Sequence, residues 1–267
     1  MRIQLTLHSH EPRPVIPINY QYPLSAAIYK IIQRADTNYA AFLHNNGYSK
    51  EGSGKQFKLF TFSDIRAPFA PPVSDRLYLK SQEIRVIVCF HIPDAAENFV
   101  KGLFMKQQLE IADSSSRAVF TISRVEALPS GLPAEIKKPV LLQPISPVIT
   151  GVKNDRGHYD YRSPQDADYA ACLLHNWIEK YLAANPGTVE TAAGLRNQIT
   201  LEVELLTQPP QERKPIIKAG TVAASKLRGY TRFKLKVTAP HPMIELALNA
   251  GIGIHSSQGF GCLEVTA

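Results

Sequence analysis

The stretch Arg2-Ile3-Gln4-Leu5-Thr6-Leu7-His8 sets the fold. Ile3, Leu5 and Leu7 alternate with polar neighbours, which is the period of a strand buried on one face. Downstream the period changes. Pro23 sits in the first turn of a helix whose apolar residues Leu24, Ile28, Ile31, Ile32 and Ala35 follow helical spacing. A short helix over 38–44 ends at Asn45-Asn46-Gly47. A loop rich in Gly, Ser and Lys leads to strands over 57–65 and 85–92. Pro93 opens a helix over 94–105, and strand-like segments run to about residue 128. The order β-α-β-β-α-β is that of a ferredoxin-like unit.

The segment 129–139 carries Pro and Lys and reads as a linker. The same order of elements then recurs, with a strand in 140–153, a helix over 165–184, strands over 199–206 and 225–237, a helix over 243–249 and a strand over 262–265. The sequence has no fixed-period repeat. The expected class is α+β, as two tandem ferredoxin-like (RRM-like) domains over 1–128 and 140–267. Each would pack helices on one face of an antiparallel sheet.

Composition narrows the class. The 267 residues are 44% hydrophobic and 20% charged, as in a soluble globular protein. No apolar run is long enough to span a bilayer, and the N-terminus lacks a signal peptide's apolar centre, so no membrane partner is expected. Cys89, Cys172 and Cys262 are odd in number and widely spaced, which disfavours a disulfide framework and suits the cytoplasm. Thirty Lys and Arg against 23 Asp and Glu give a net charge of +7, which favours an anionic partner.

Two regions could meet such a partner. From Arg213 to Lys236 there are eight basic residues and no acidic one. Lys226, Arg228, Tyr230, Arg232, Lys234 and Lys236 share one parity, whereas Leu227, Phe233, Leu235 and Val237 take the other. A continuous strand would bury the second set and present a row of cations with a ring for base stacking. The pattern equally describes a solvated sheet face whose lysines discourage edge pairing. The other region is the tail, where Gly251, Gly253, Gly259 and Gly261 flank His255, Ser256, Ser257 and Gln258. Clustered glycines let backbone N–H groups approach phosphates. No helix follows, so a dinucleotide or P-loop fingerprint is excluded. A glycine turn packing the two domains together is the alternative.

Tyr29, His44 and Lys58 form the candidate chemistry. An imidazole, a phenol and an ammonium can cleave RNA without metal when the 2′-OH is the nucleophile: His moves protons, while cation and phenol stabilise the phosphorane-like charge. Spacing alone also fits a core tyrosine, a helix-end histidine and a surface lysine. His8-x-His10 could be half a metal site but has no partner motif, so no metal and no cofactor are expected. Gly52-Ser53-Gly54-Lys55 lacks the upstream Gly and the following Ser or Thr of a P-loop, and no Gly-x-Ser-x-Gly elbow is present.

The runs from Tyr22 to Tyr29, Phe42-Leu43-His44, Lys58 to Ser63, Lys226 to Tyr230 and Gly251 to Gly261 resemble the CRISPR-associated endoribonucleases that cut precursor CRISPR RNA within each repeat. These belong to the repeat-associated mysterious protein superfamily. The resemblance implies tandem ferredoxin-like domains, metal-independent cleavage and 2′,3′-cyclic phosphate with 5′-OH ends. It implies catalytic roles for His44, Tyr29 and Lys58, with Lys50 or Lys55 open for the lysine role because the 45–57 segment is long. The implied partners are CRISPR repeat RNA and other CRISPR-associated subunits of an interference complex; a homodimer is left open. A non-catalytic RNA-binding subunit of the same superfamily is the second reading, and a metal hydrolase on His8 and His10 the third.

Overall fold

The computed structural model describes residues 1–50, 52 and 54–266. Ser53, of the stretch weighed as a P-loop, lies outside the described residues. Strand β1 (Arg2–Ser9) is the axis of the first sheet, whose other strands are β2 (Phe60–Phe62), β3 (Glu83–Phe90), β4 (Gln108–Ala112) and β5 (Arg117–Leu128). The order is β2-β3-β1-β5-β4, with every pairing antiparallel. Leu5 lies opposite Val86 on one side and Val125 on the other. Helices α1 (Gln21–Ala35) and α3 (Pro93–Met105) cover one face. Their Leu24, Ile28, Ile31, Ile32, Phe99 and Leu103 join Ile3, Leu5 and Leu7 in one core. Helix α2 (Thr37–Asn45) leans on α1 and is capped by Asp36, whose carboxylate accepts from the Tyr39 N–H at 2.8 Å.

The second sheet repeats this plan. Strands β6 (Val140–Pro144), β9 (Thr200–Leu205), β10 (Phe233–Thr238) and β11 (Leu263–Thr266) order as β9-β10-β6-β11, again antiparallel. Between β6 and β9 come a hairpin of β7 (Gly151–Lys153) and β8 (Tyr159–Tyr161), helix α4 (Tyr169–Ala184) and the short α5 (Ala192–Gln198). Trp177 and Ile178 of α4 and the buried Met243, Ile244 and Leu248 of α6 (His241–Ala250) fill the core beneath. The architecture is two tandem ferredoxin-like folds, as the alternation of periods implies. Among the described residues no helix is long and apolar enough to cross a membrane.

Some elements differ from their expected extent. The regular ladder with β3 covers Phe60–Phe62 of the 57–65 stretch, and it begins there because Leu59 is left-handed (φ 53°) and its side chain enters the second core. Segment 140–153 divides into β6 and β7. The expected strand over 225–237 breaks into Ser225–Lys226, Gly229–Thr231 and β10, with Arg232 at φ 63° turning the chain between the last two. This break overturns the single row of parity. Tyr230 is 4% exposed, and its hydroxyl is bonded by Arg228 at 3.0 Å, so its ring is no open stacking platform.

The glycine tail lies in the seam between the two halves. Ser25 of α1 donates to the Ser257 carbonyl at 2.7 Å, and Thr61 of β2 to the Phe260 carbonyl at 3.0 Å. Gly259 (φ 86°) and Gly261 (φ 70°) have to be glycine twice over. A Cβ would stand 2.3 Å from the Phe62 ring at Gly259 and 1.9 Å from the Ile252 carbonyl at Gly261. Gly251 backs on Thr61 and Gly253 on the Ile149 carbonyl. The N–H groups of Gly259 and Gly261 are spent on Ser256 and Pro147 carbonyls, so these two glycines do not form a nest for phosphate.

Candidate active site between the two sheets

The element ends around α2 bring the sequence-predicted trio together. Tyr29 is in the third turn of α1, and its half-buried ring meets His44 edge-on, with centroids 5.7 Å apart. Phe60 of β2 holds the phenol from another side at 5.4 Å. His44 is exposed in the last turn of α2. Its Nδ1 lies 3.0 Å from Asn45 Oδ1, and donation to that oxygen would leave Nε2 with the lone pair. Lys58 sends its ammonium back to the His44 carbonyl at 2.9 Å.

Gly47 makes that return possible, a role that its sequence position alone would not reveal. It is left-handed at φ 63°, and a Cβ there would stand 2.5 Å from the Phe57 carbonyl and 2.9 Å from Lys58 Cδ. The backbone pairing of Tyr48 with Phe57 closes the base of the loop, so the 45–57 segment leaves its end fixed. Lys55, the other lysine considered, instead lies 3.0 Å from His175 Nε2 and 3.9 Å from Glu179.

Burial tunes the groups. It pushes the Tyr29 phenol up to about 12, with the Ser257 side chain opposing the rise, so the phenol keeps its proton at neutral pH. Burial lowers the Lys58 ammonium. Hydroxyl, imidazole and ammonium thus line one corner from which a phosphate could be addressed on several sides.

Lys58 of that corner also lines a cavity of about 790 Å³ between the two halves, bounded further by Ser256, Ser257, His175 and Tyr159 among others, while Tyr29 and His44 stand outside its lining. Its floor is organised by Lys180, which sequence reasoning missed. This α4 side chain is 3% exposed and donates to Gly251 O at 2.7 Å, Gly253 O at 3.3 Å, Ala250 O at 3.4 Å and Ser256 Oγ at 2.9 Å. It carries no carboxylate partner among these contacts, and burial lowers it to about 7. The signal was its helical spacing, seven residues after Leu173 and three after Trp177, which puts Lys180 on the apolar face of the helix.

The basic region is distributed rather than aligned. Arg213 pairs with Asp64 of the first half across the seam, Arg228 with Glu212, and Lys236 with Glu202 at 3.1 Å. Lys226 and Arg232 are exposed, and Lys234 of β10 is half-buried opposite Glu204. The face therefore mixes charges where the sequence had suggested an unbroken cationic row. His8 and His10 stand apart from the corner, their rings 6.1 Å from each other and His10 on Thr121 at 3.2 Å.

The chain is similar to known proteins in sequence and in fold. The chain is 27% identical over 264 residues to CRISPR-associated endoribonuclease Cas6 1 of Methanocaldococcus jannaschii, covering 98% of this chain and 91% of that protein. A structure described as CRISPR associated protein Cas6 superposes with TM-score 0.69 at 24% identity, covering 100% of this chain and 99% of the other. A Cas6-related protein from Pyrococcus furiosus superposes at 0.75 with 18% identity, covering 100% and 98%. These two likenesses speak for the fold. Residues 15–126 match the family described as CRISPR-associated protein Cas6, N-terminal, and residues 132–265 match CRISPR associated protein Cas6, C-terminal, so the chain belongs to the Cas6 family.

Proposed function

We propose that this protein cuts precursor CRISPR RNA within its repeats, without metal. The observation that carries the reading is the meeting of Tyr29, His44 and Lys58, the last of which also lines the interdomain cavity. His44 Nε2 takes the proton of the 2′-OH, whose oxygen attacks the adjacent phosphorus. The P–O5′ bond breaks, and the leaving 5′ oxygen takes a proton returned by the imidazole or supplied by water. The ends are a 2′,3′-cyclic phosphate and a 5′-OH. Lys58 and the protonated Tyr29 stabilise the charge that builds on the phosphoryl oxygens.

RNA binding is assigned to the exposed Lys226 and Arg232, to Lys234, and to the hydroxyls of Ser256 and Ser257 at the cavity wall. Arg228 and Lys236 would have to exchange their carboxylate partners for phosphate, and Tyr230 supports Arg228 from beneath. Gly251, Gly253, Gly259 and Gly261 contribute by setting the shape of the tail. Retention of the product within a CRISPR interference complex belongs to the same reading.

Incubation of the purified protein with its own repeat RNA in excess chelator tests this. Products with cyclic phosphate ends are expected, and a single 2′-deoxy substitution 5′ of the cut should block them. Undiminished cutting of the deoxy RNA would refute the mechanism. Tight binding with no products would assign the chain as a non-catalytic RNA-binding subunit.

A further inference from the structure

Hairpin β7–β8 projects an aromatic group at the cavity that the cleavage chemistry does not use. Tyr159 and Tyr161 lie nearly parallel at 18°, with ring centroids 6.1 Å apart. Residues two apart on a strand share a face, so the pair forms one aromatic surface. Lys153, across the hairpin from Tyr159, holds its ammonium 5.8 Å from that ring's centroid. His255 meets the same ring edge-on at 6.3 Å. It does so from a left-handed conformation (φ 61°) that costs a non-glycine residue free energy.

The same cavity carries unspent acceptors. Asn176 of α4 lines the cavity and is only 9% exposed, and its Oδ1 has no hydrogen-bond partner among the described residues. The side-chain oxygen of Gln258 is in the same condition on the tail wall. Buried carboxamide oxygens are nearly always paired in folded proteins, and leaving one unpaired is costly. A ring, a cation and two orphan acceptors around one space call for a flat ligand with N–H donors and an attached phosphate. An amino-bearing nucleobase has that chemistry, and the cavity's size lies within the range of small-ligand sites.

We propose that the cavity holds one unpaired nucleotide of the RNA, its base against Tyr159, its amino group toward Asn176 and Gln258, and its phosphate on Lys153. Lys58 and Ser257 line the same cavity, so this nucleotide neighbours the scissile phosphate. The inference rests on the RNA-cutting reading and adds a base-selecting site to it: adenine, cytosine or guanine is accepted, and uracil, which has no amino group, is disfavoured.

The test uses the full chain and repeat RNA made uncleavable by a 2′-deoxy group at the cut. A series of such RNAs, each lacking one base, is measured for binding. Wild type should lose about 5- to 100-fold at one position near the cut, the range of base–aromatic stacking. Tyr159→Ala should abolish that position-specific loss and Tyr159→Phe should retain it. Independently, Asn176→Leu should erase the preference for cytosine over uracil there. Losses that are the same in wild type and Tyr159→Ala, or an unchanged base preference in Asn176→Leu, would overturn the site while leaving the RNA reading standing. Failure of the wild type to bind repeat RNA at all would remove both.

Discussion

Replacing Lys180 by Met would expose how the tail is held. The ammonium sits among three carbonyls and a hydroxyl with no carboxylate among its partners, and its value falls to about 7 from an ordinary 10.5. Between those two pH values the unfolded chain keeps a proton that the folded chain has shed. Folding stability from this group therefore rises with pH across the window, and below about 7 its pH dependence disappears. At ~1.4 kcal/mol per pH unit the full window is worth ~5 kcal/mol. Met removes this linkage and leaves buried acceptors without donors, at ~1–3 kcal/mol for each that water cannot reach. The two effects oppose each other near neutrality, where discarding a costly amine offsets the lost bonds. They separate as pH rises. Urea unfolding at pH 7 and pH 9 should show wild type gaining ~2 kcal/mol on Lys180→Met, most of the ~1.4 kcal/mol per unit over that interval. Parallel pH dependence in the two proteins would refute the assignment of a buried, partly neutral lysine.

The site makes further predictions. His44→Ala should slow repeat cleavage by ~10²–10⁴-fold with binding retained, the scale of losing a general acid–base group; single-turnover kinetics beside a binding measurement checks both. Tyr29→Phe keeps the contacts with Phe60 and His44 and removes only the donor, so cleavage should fall with little change in melting temperature. Because the Tyr29 phenol titrates only at about 12, Tyr29→Phe should lower the rate without changing the shape of its pH profile below about pH 10. Gly47→Ala should cost ~1–3 kcal/mol through its left-handed backbone and move Lys58 off the His44 carbonyl. Cleavage should then drop more than in Lys50→Ala.

Much of the fold was legible because period is a local property. Ile3, Leu5 and Leu7 had to face one way on a strand, and Leu24, Ile28, Ile31 and Ile32 had to share a helix face. Two such βαββαβ series allow few topologies. The trio of Tyr29, His44 and Lys58 could be named as residue types able to move protons and hold charge, and the family resemblance supplied their positions. Their meeting could not be read from spacing, since it depends on a left-handed Gly47 that returns the chain to Phe57.

The sequence by itself determined the tandem plan, the basic excess and the types of group offered for chemistry, since each follows from composition or from a short-range pattern. Tertiary structure decided which of those groups are free to act. Arg213, Arg228 and Lys236 looked alike along the chain, but each found a carboxylate from a distant segment, and one backbone turn at Arg232 ended the regular parity. The glycine tail could have served a ligand or a seam. Steric closeness to Phe62 and Ile252, together with the buried ammonium of Lys180, places it in the seam with its serines at the cavity wall. Contacts between residues far apart in sequence are set by how two cores stack, and no local pattern encodes that distance.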